Sequence, residues 1–139
     1  MPTTPASPAL TASQASWRCV QDHDRAGWLA LMAEDILIED PIGQALTNPD
    51  GTGVRGKAAV AAFYDTNIAA NQLTVICEET FPSSSPHEIA HILLLRSRFD
   101  GGFTSTVRGV FTYRVNDAGL LTHLRGYWNI EAMTFGKEA

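Results

Sequence analysis

The feature that most constrains this chain lies between residues 89 and 130, where three long strand-like runs are separated by two turns. "DGG" at 100–102 and "NDAG" at 116–119 are hairpin punctuation, and the runs 89–99, 103–115 and 120–130 around them are rich in β-branched, aromatic and aliphatic residues. Three such strands in succession make an antiparallel meander. It must bury one face, and the material to cover it lies upstream.

That upstream material reads as helical. "TASQASWRCVQDHD" puts Ala12, Ala15, Trp17, Cys19 and Val20 largely on one side, with Thr11 or Ser13 as the N-cap. "DRAG" interrupts it, and "WLALMAED" reads as a second short helix. "KAAVAAFYDTNIAAN" is a third, with high alanine propensity and with Val60, Phe63, Tyr64 and Ile68 near one face. "ILIED" before Pro41 and "LTVICEET" read as further strands, while 43–56 and "FPSSSPHE" read as loops. Helices first and antiparallel strands afterwards define an α+β fold, with helices on one face of a curved, mostly antiparallel sheet. Residues 1–10, rich in Pro, Thr and Ser, read as a loose arm, and 11–139 as a single domain. A chain of 139 residues buries about two-thirds of the surface its unfolded form exposes.

Charge and cysteine usage narrow the function. A net charge of -5 with a pI near 5.2 argues against nucleic-acid or anionic-membrane partners, and no window is apolar enough for a membrane span. The N-terminus has neither the basic nor the apolar region of a signal peptide, so a cytoplasmic location is expected. Cys19 and Cys77 belong to no CxxC pair and read as buried free thiols. Four scattered histidines lack ligand spacing, so neither a metal nor another cofactor is expected; His91 and His123 read as surface or satisfied sheet residues. "GTGVRG" at 51–56 fits G-x-G-x-x-G, but "LTNPD" rather than an apolar strand precedes it, so it reads as a loop.

The chemistry concentrates in "LIEDPIG" at 37–43, where a branched apolar run ends on two carboxylates. Alternation puts Ile36, Ile38 and Asp40 on one face and Leu37 and Glu39 on the other. Glu34, Asp35 and Glu39 read as solvated. In 103–115, Thr104, Thr106, Arg108, Thr112 and Arg114 form a polar side, while Ser105, Val107, Gly109, Phe111, Tyr113 and Val115 face inward; Leu124, Gly126 and Trp128 share a face of the last strand. Asp40 therefore belongs to a concave wall with Phe111, Tyr113, Leu124 and Trp128. A carboxyl in an apolar pocket has a raised pKa, as a general base for a carbon-bound proton requires. A turn-capping role at the surface is the alternative that alternation leaves open.

"LMAEDILIEDPIG" resembles the segment of bacterial ketosteroid isomerases that carries the catalytic aspartate in an EDPxG context. "GKAAVAAFYDTNI" resembles that family's third helix, and "VFTYRVNDAG" and "LLTHLRGYWN" match in order, so the resemblance spans about 13–130 with a longer loop between Gly43 and Gly56. It implies the nuclear-transport-factor-like cone, shared with polyketide cyclases of the SnoaL type, with a deep apolar pocket for a flat hydrophobic ketone or steroid. It implies Asp40 as the proton-shuttling base. It also implies a homodimer formed through the outer sheet face. The family's two oxyanion donors do not carry over: their positions fall on Ser16 and Phe111. Tyr64 is the preferred substitute, with Tyr113, Ser16 and the Trp17 indole as others, and Phe63 and Trp128 fall among the ligand-contacting positions. A non-catalytic steroid or lipid carrier and a polyketide cyclase-like enzyme are the competing readings. The Asp–Arg–Asp relay of limonene-epoxide-hydrolase-like relatives is not evident, because Arg108 lies on the polar side; Arg96 is a loose possibility.

Overall fold

The computed structural model describes residues 5–138. Helix α1 (Pro8–Gln21) begins where a loose arm was expected: Ser7 accepts from the Leu10 N–H as N-cap and Pro8 occupies the first turn, where a missing N–H costs nothing. Ala9, Leu10, Ala12, Ser13, Ser16 and Val20 form its buried stripe. Residues 8–10 of the expected arm are thus helical, and residues 1–4 lie outside the described residues. Thr11 and Ser13 sit inside the helix, Ser13 donating to the Ala9 carbonyl.

Asp24, in the segment expected to be a break, caps α2 (Arg25–Ala30) by accepting from the Gly27 N–H. That helix ends early. "MAED" belongs instead to β1 (Met32–Glu39), because Met32 and Ala33 are needed in the core and Met32 pairs in parallel with Leu121. The loop that follows leads through the short β2 (Val54–Arg55), antiparallel to β1, into α3 (Lys57–Asn67). Gly53 has φ +85 and lies so close to β1 that a Cβ would come within 2.7 Å of Leu37, which explains the glycines of the G-x-G-x-x-G match without any nucleotide.

β3 (Gln72–Pro82), β4 (Glu88–Arg98), β5 (Phe103–Val115) and β6 (Leu121–Tyr127) form the expected meander, although Phe81, Pro82 and Glu88 lie in strands rather than the loop. The sheet order is β2-β1-β6-β5-β4-β3. A seventh strand that the sequence did not reveal, β7 (Thr134–Lys137), pairs with the first half of β5, while β6 pairs with its second half. All four β7 residues are exposed, so it carries no burial alternation to detect. The result is an α+β cone with a curved, unclosed, mostly antiparallel sheet around its helices. No helix among the described residues is long and apolar enough to cross a membrane.

The core joins α1, α2 and the inner sheet face through Trp28, Met32, Ile36, Ile38, Leu93, Phe111 and Leu121, each at most 2% exposed. Burying a side chain of this size stabilises by about 1.5–3 kcal/mol. The Trp28 N–H would be costly in such surroundings; it donates to Ser16 Oγ at 3.0 Å.

Candidate functional site

The helices do not fill the cone. A cavity of about 390 Å³ remains between α1, α3 and the inner sheet face. Asp40, Ser16, Trp17, Phe63, Phe111, Tyr113, Leu124 and Trp128 all line it, so one wall unites eight of the nine site residues expected from sequence. Among the described residues, Asp40 is the only charged side chain in the lining.

Asp40 follows Ile36 and Ile38 on the inward face of β1, as alternation requires. Its Oδ1 accepts from the Trp128 indole N–H at 2.7 Å. Burial pushes its pKa up, and the Trp128 hydrogen bond pulls partly the other way. Gly126 makes the space: a Cβ there would lie 2.8 Å from the Phe111 ring and 3.1 Å from Asp40 Oδ1. Beyond Asp40 the chain is pinned by polar contacts that sequence reasoning missed. Thr47 Oγ1 donates to the Asp40 carbonyl, Asn48 Nδ2 donates to the Pro41 carbonyl at 2.9 Å, and Asn48 Oδ1 accepts from the Gly53 N–H. Asn48 is 2% exposed, and an asparagine in a loop gives no sequence sign of such burial.

Tyr113 is the second polar group of the wall. Trp17 Nε1 donates to its hydroxyl oxygen at 2.9 Å, leaving the phenolic proton free to donate elsewhere. Burial raises its pKa strongly, the Trp17 bond opposes this, and the Asp40 charge adds to the rise. Beneath it His91, fully buried, meets Trp17 and Tyr113 edge-on, with ring centroids 4.7 and 5.6 Å away. His91 is neither a surface residue nor a satisfied one. Nδ1 contacts Thr80 Oγ1 at 2.9 Å, Nε2 has no partner, and burial lowers its pKa to about 4.

Four further expectations are corrected. Tyr64, the preferred oxyanion donor, is not in the cavity lining; it is 2% exposed against Trp28, and the charges acting on its phenol are those of Asp24, Arg25 and Asp65. The α3 periodicity placed it inward, but Phe63, not Tyr64, turns to the cavity. Cys77 is exposed, not buried, because a bulge between Cys77 and Glu79 displaces the alternation at the sheet edge. Glu39 is not solvated: its carboxylate is 13% exposed and accepts from Arg125 Nε at 2.9 Å. Arg96, the loose candidate for a relay, pairs with Glu138 instead, while Arg108 pairs with Glu78 on the polar side where alternation put it.

An α+β cone enclosing an apolar cavity with one perturbed carboxyl is the arrangement that the comparisons with known proteins have to match. The chain belongs to the SnoaL-like domain family, of the nuclear-transport-factor-like superfamily; the family's model matches residues 14–124. No curated protein matches it. Among solved structures, the Δ5-3-ketosteroid isomerase from Mycobacterium sp. is 72% identical over 94% of this chain and 100% of that one, with a TM-score of 0.93. Rv0760c from Mycobacterium tuberculosis is 74% identical over 96% of this chain and 100% of its own, again at 0.93. The complex of Rv0760c with estradiol-17β-hemisuccinate is 75% identical over 93% and 99%, at 0.91.

Proposed function

We propose that this protein binds a steroid or similar flat polycyclic ketone in the cavity and shifts its double bond by intramolecular proton transfer. Asp40 removes a proton beside the ketone and returns it to another carbon. The Tyr113 hydroxyl donates to the oxygen that becomes negative. The carrying observation is Asp40, a carboxyl of raised pKa that is, among the described residues, the sole charge lining an apolar cavity of about 390 Å³. A solved chain described as a Δ5-3-ketosteroid isomerase at 72% identity and another holding a steroid derivative at 75% support the ligand class. The decisive assay is conversion of a 3-oxo-5-ene steroid to the conjugated 4-ene by wild type and by Asp40→Asn. Turnover that survives the substitution unchanged removes the proton-transfer reading.

One observation favours a second reading, a carrier without turnover. At one of the two positions that align with the family's oxyanion donors, Phe111 has nothing to donate, so at least one of those donors is missing from the cavity. Steroid binding by tryptophan quenching, with turnover no faster than in buffer, would select it.

We also propose a cytoplasmic homodimer. The outer sheet face exposes Ile76, Phe81, Val110 and Tyr127, each 40% or more, an apolar surface that a second copy would cover. Sedimentation at micromolar concentration tests this, a monomer counting against it.

A further inference from the structure

At the end of the cavity remote from Asp40, four residues form one row across the inner sheet face. Leu73 pairs with Ser97, Ser97 with Ser105, and Ser105 with Phe135. All four line the cavity. The outer two are apolar and the central two are hydroxyls, directly opposed on antiparallel strands. Such a pair holds its Cβ atoms about 4.5–5.5 Å apart, close enough for both hydroxyls to grip one oxygen.

Interior serines elsewhere in the protein are satisfied: Ser13 donates to the Ala9 carbonyl and Ser16 accepts from Trp28. Among the described residues, Ser97 and Ser105 have no such partner; neither oxygen is fully buried, and both residues line the cavity. A hydroxyl turned to an otherwise apolar wall gains no bond inside the chain and stays free to meet an oxygen that enters the cavity. On β5, Ser105 and Phe111 share a face six residues apart, about 20 Å of strand. Phe111 marks the Asp40 end, since its pairing partner Gly126 is the residue that Asp40 abuts. Among the described residues Asp40 is the only charged one in the lining, so none of them offers an ion a partner at the serine end.

We propose that Ser97 and Ser105 form a second polar subsite, which recognises a neutral oxygen, hydroxyl or ketone, at the far end of the ligand. This rests on the steroid reading above and extends it to ligands oxygenated at both ends. A matched pair of 3-ketosteroids, one with a 17β-hydroxyl and one 17-deoxy, is titrated by tryptophan quenching into wild type and the Ser97→Ala/Ser105→Ala variant. The expected result is that the variant loses about tenfold in affinity for the hydroxylated steroid, the worth of one good hydrogen bond, and none for the deoxy one. Equal losses for both steroids, or no loss for either, overturn the subsite while leaving the steroid reading intact. Wild type that binds neither steroid overturns the steroid reading and the subsite with it. The variant's melting temperature gives an independent check: removing unpaired hydroxyls leaves it equal or higher, and a fall of several degrees shows that both were structurally engaged.

Discussion

Trp128 Nε1 and Asp40 Oδ1 lie 2.7 Å apart, joining the end of the first strand to the residue just past the sixth. The carboxylate has no other side-chain donor among the described residues, so its charge inside the cone depends on one indole. Trp128→Phe keeps the aromatic wall and removes that donor. The Asp40 pKa should then rise further, moving the acidic limb of the kcat/KM profile to higher pH, because the indole hydrogen bond that favours the charged form is gone. An unmoved limb would show that the indole only packs.

Asp40 should also be a liability for folding. Burial raises its pKa, so the folded state favours the protonated form. Its contribution to stability is therefore present at low pH and lost as pH rises through the folded-state value, at about 1.4 kcal/mol for each unit by which that value is raised. Asp40→Asn should match wild type in melting temperature at acidic pH and exceed it increasingly toward neutrality. Parallel curves for the two proteins would contradict this.

His91 has the opposite sign. With its pKa lowered from 6.5 to about 4, the ring stays neutral in the fold while the unfolded chain takes up a proton. Stability is intact above pH 6.5 and should fall by up to about 3 kcal/mol as pH drops toward 4. His91→Phe should flatten that part of the chemical-denaturation profile. An acid slope unchanged by the substitution would assign the loss to other groups.

Tyr113→Phe and Tyr64→Phe separate the two tyrosines. If Tyr113 supplies the hydrogen bond to the developing oxyanion, its removal should cost about 100- to 1,000-fold in kcat. Tyr64→Phe should leave kcat within about threefold, because its ring stacks on Trp28 outside the cavity lining. The reverse outcome would restore Tyr64 as the donor.

Gly126→Ala should disturb site and fold together. Its Cβ would press on the Phe111 ring at 2.8 Å and on Asp40 at 3.1 Å, so both would have to shift toward the cavity. A loss of about 1–3 kcal/mol in stability, with weakened steroid affinity, is expected from overpacking of this kind. Unaltered denaturation midpoint and affinity would mean that the wall yields.

Much of the site was legible because strands alternate. Ile36, Ile38 and Asp40 had to share a face, and Phe111 with Tyr113, like Leu124 with Trp128, had to share theirs; two branched apolar residues beside Asp40 were enough to turn it inward. Tyr64 was misread because helical periodicity tells which side of α3 is buried, not which buried residue meets a cavity and which meets Trp28. Cys77 was misread because its bulge depends on how β3 pairs with β4. β7 left no signature, since an edge strand exposed along its length needs no alternation.

By itself, then, the order of residues determined the helices, the meander and the inward aspect of Asp40, all of which follow from local periodicity and turn chemistry. Only the tertiary structure decided what Asp40 would meet there. Trp128 is 88 residues away along the chain, and Tyr113 owes its free proton to Trp17, 96 residues from it. Contacts at such separations are set by the curvature and register of the whole sheet, and no local pattern encodes them.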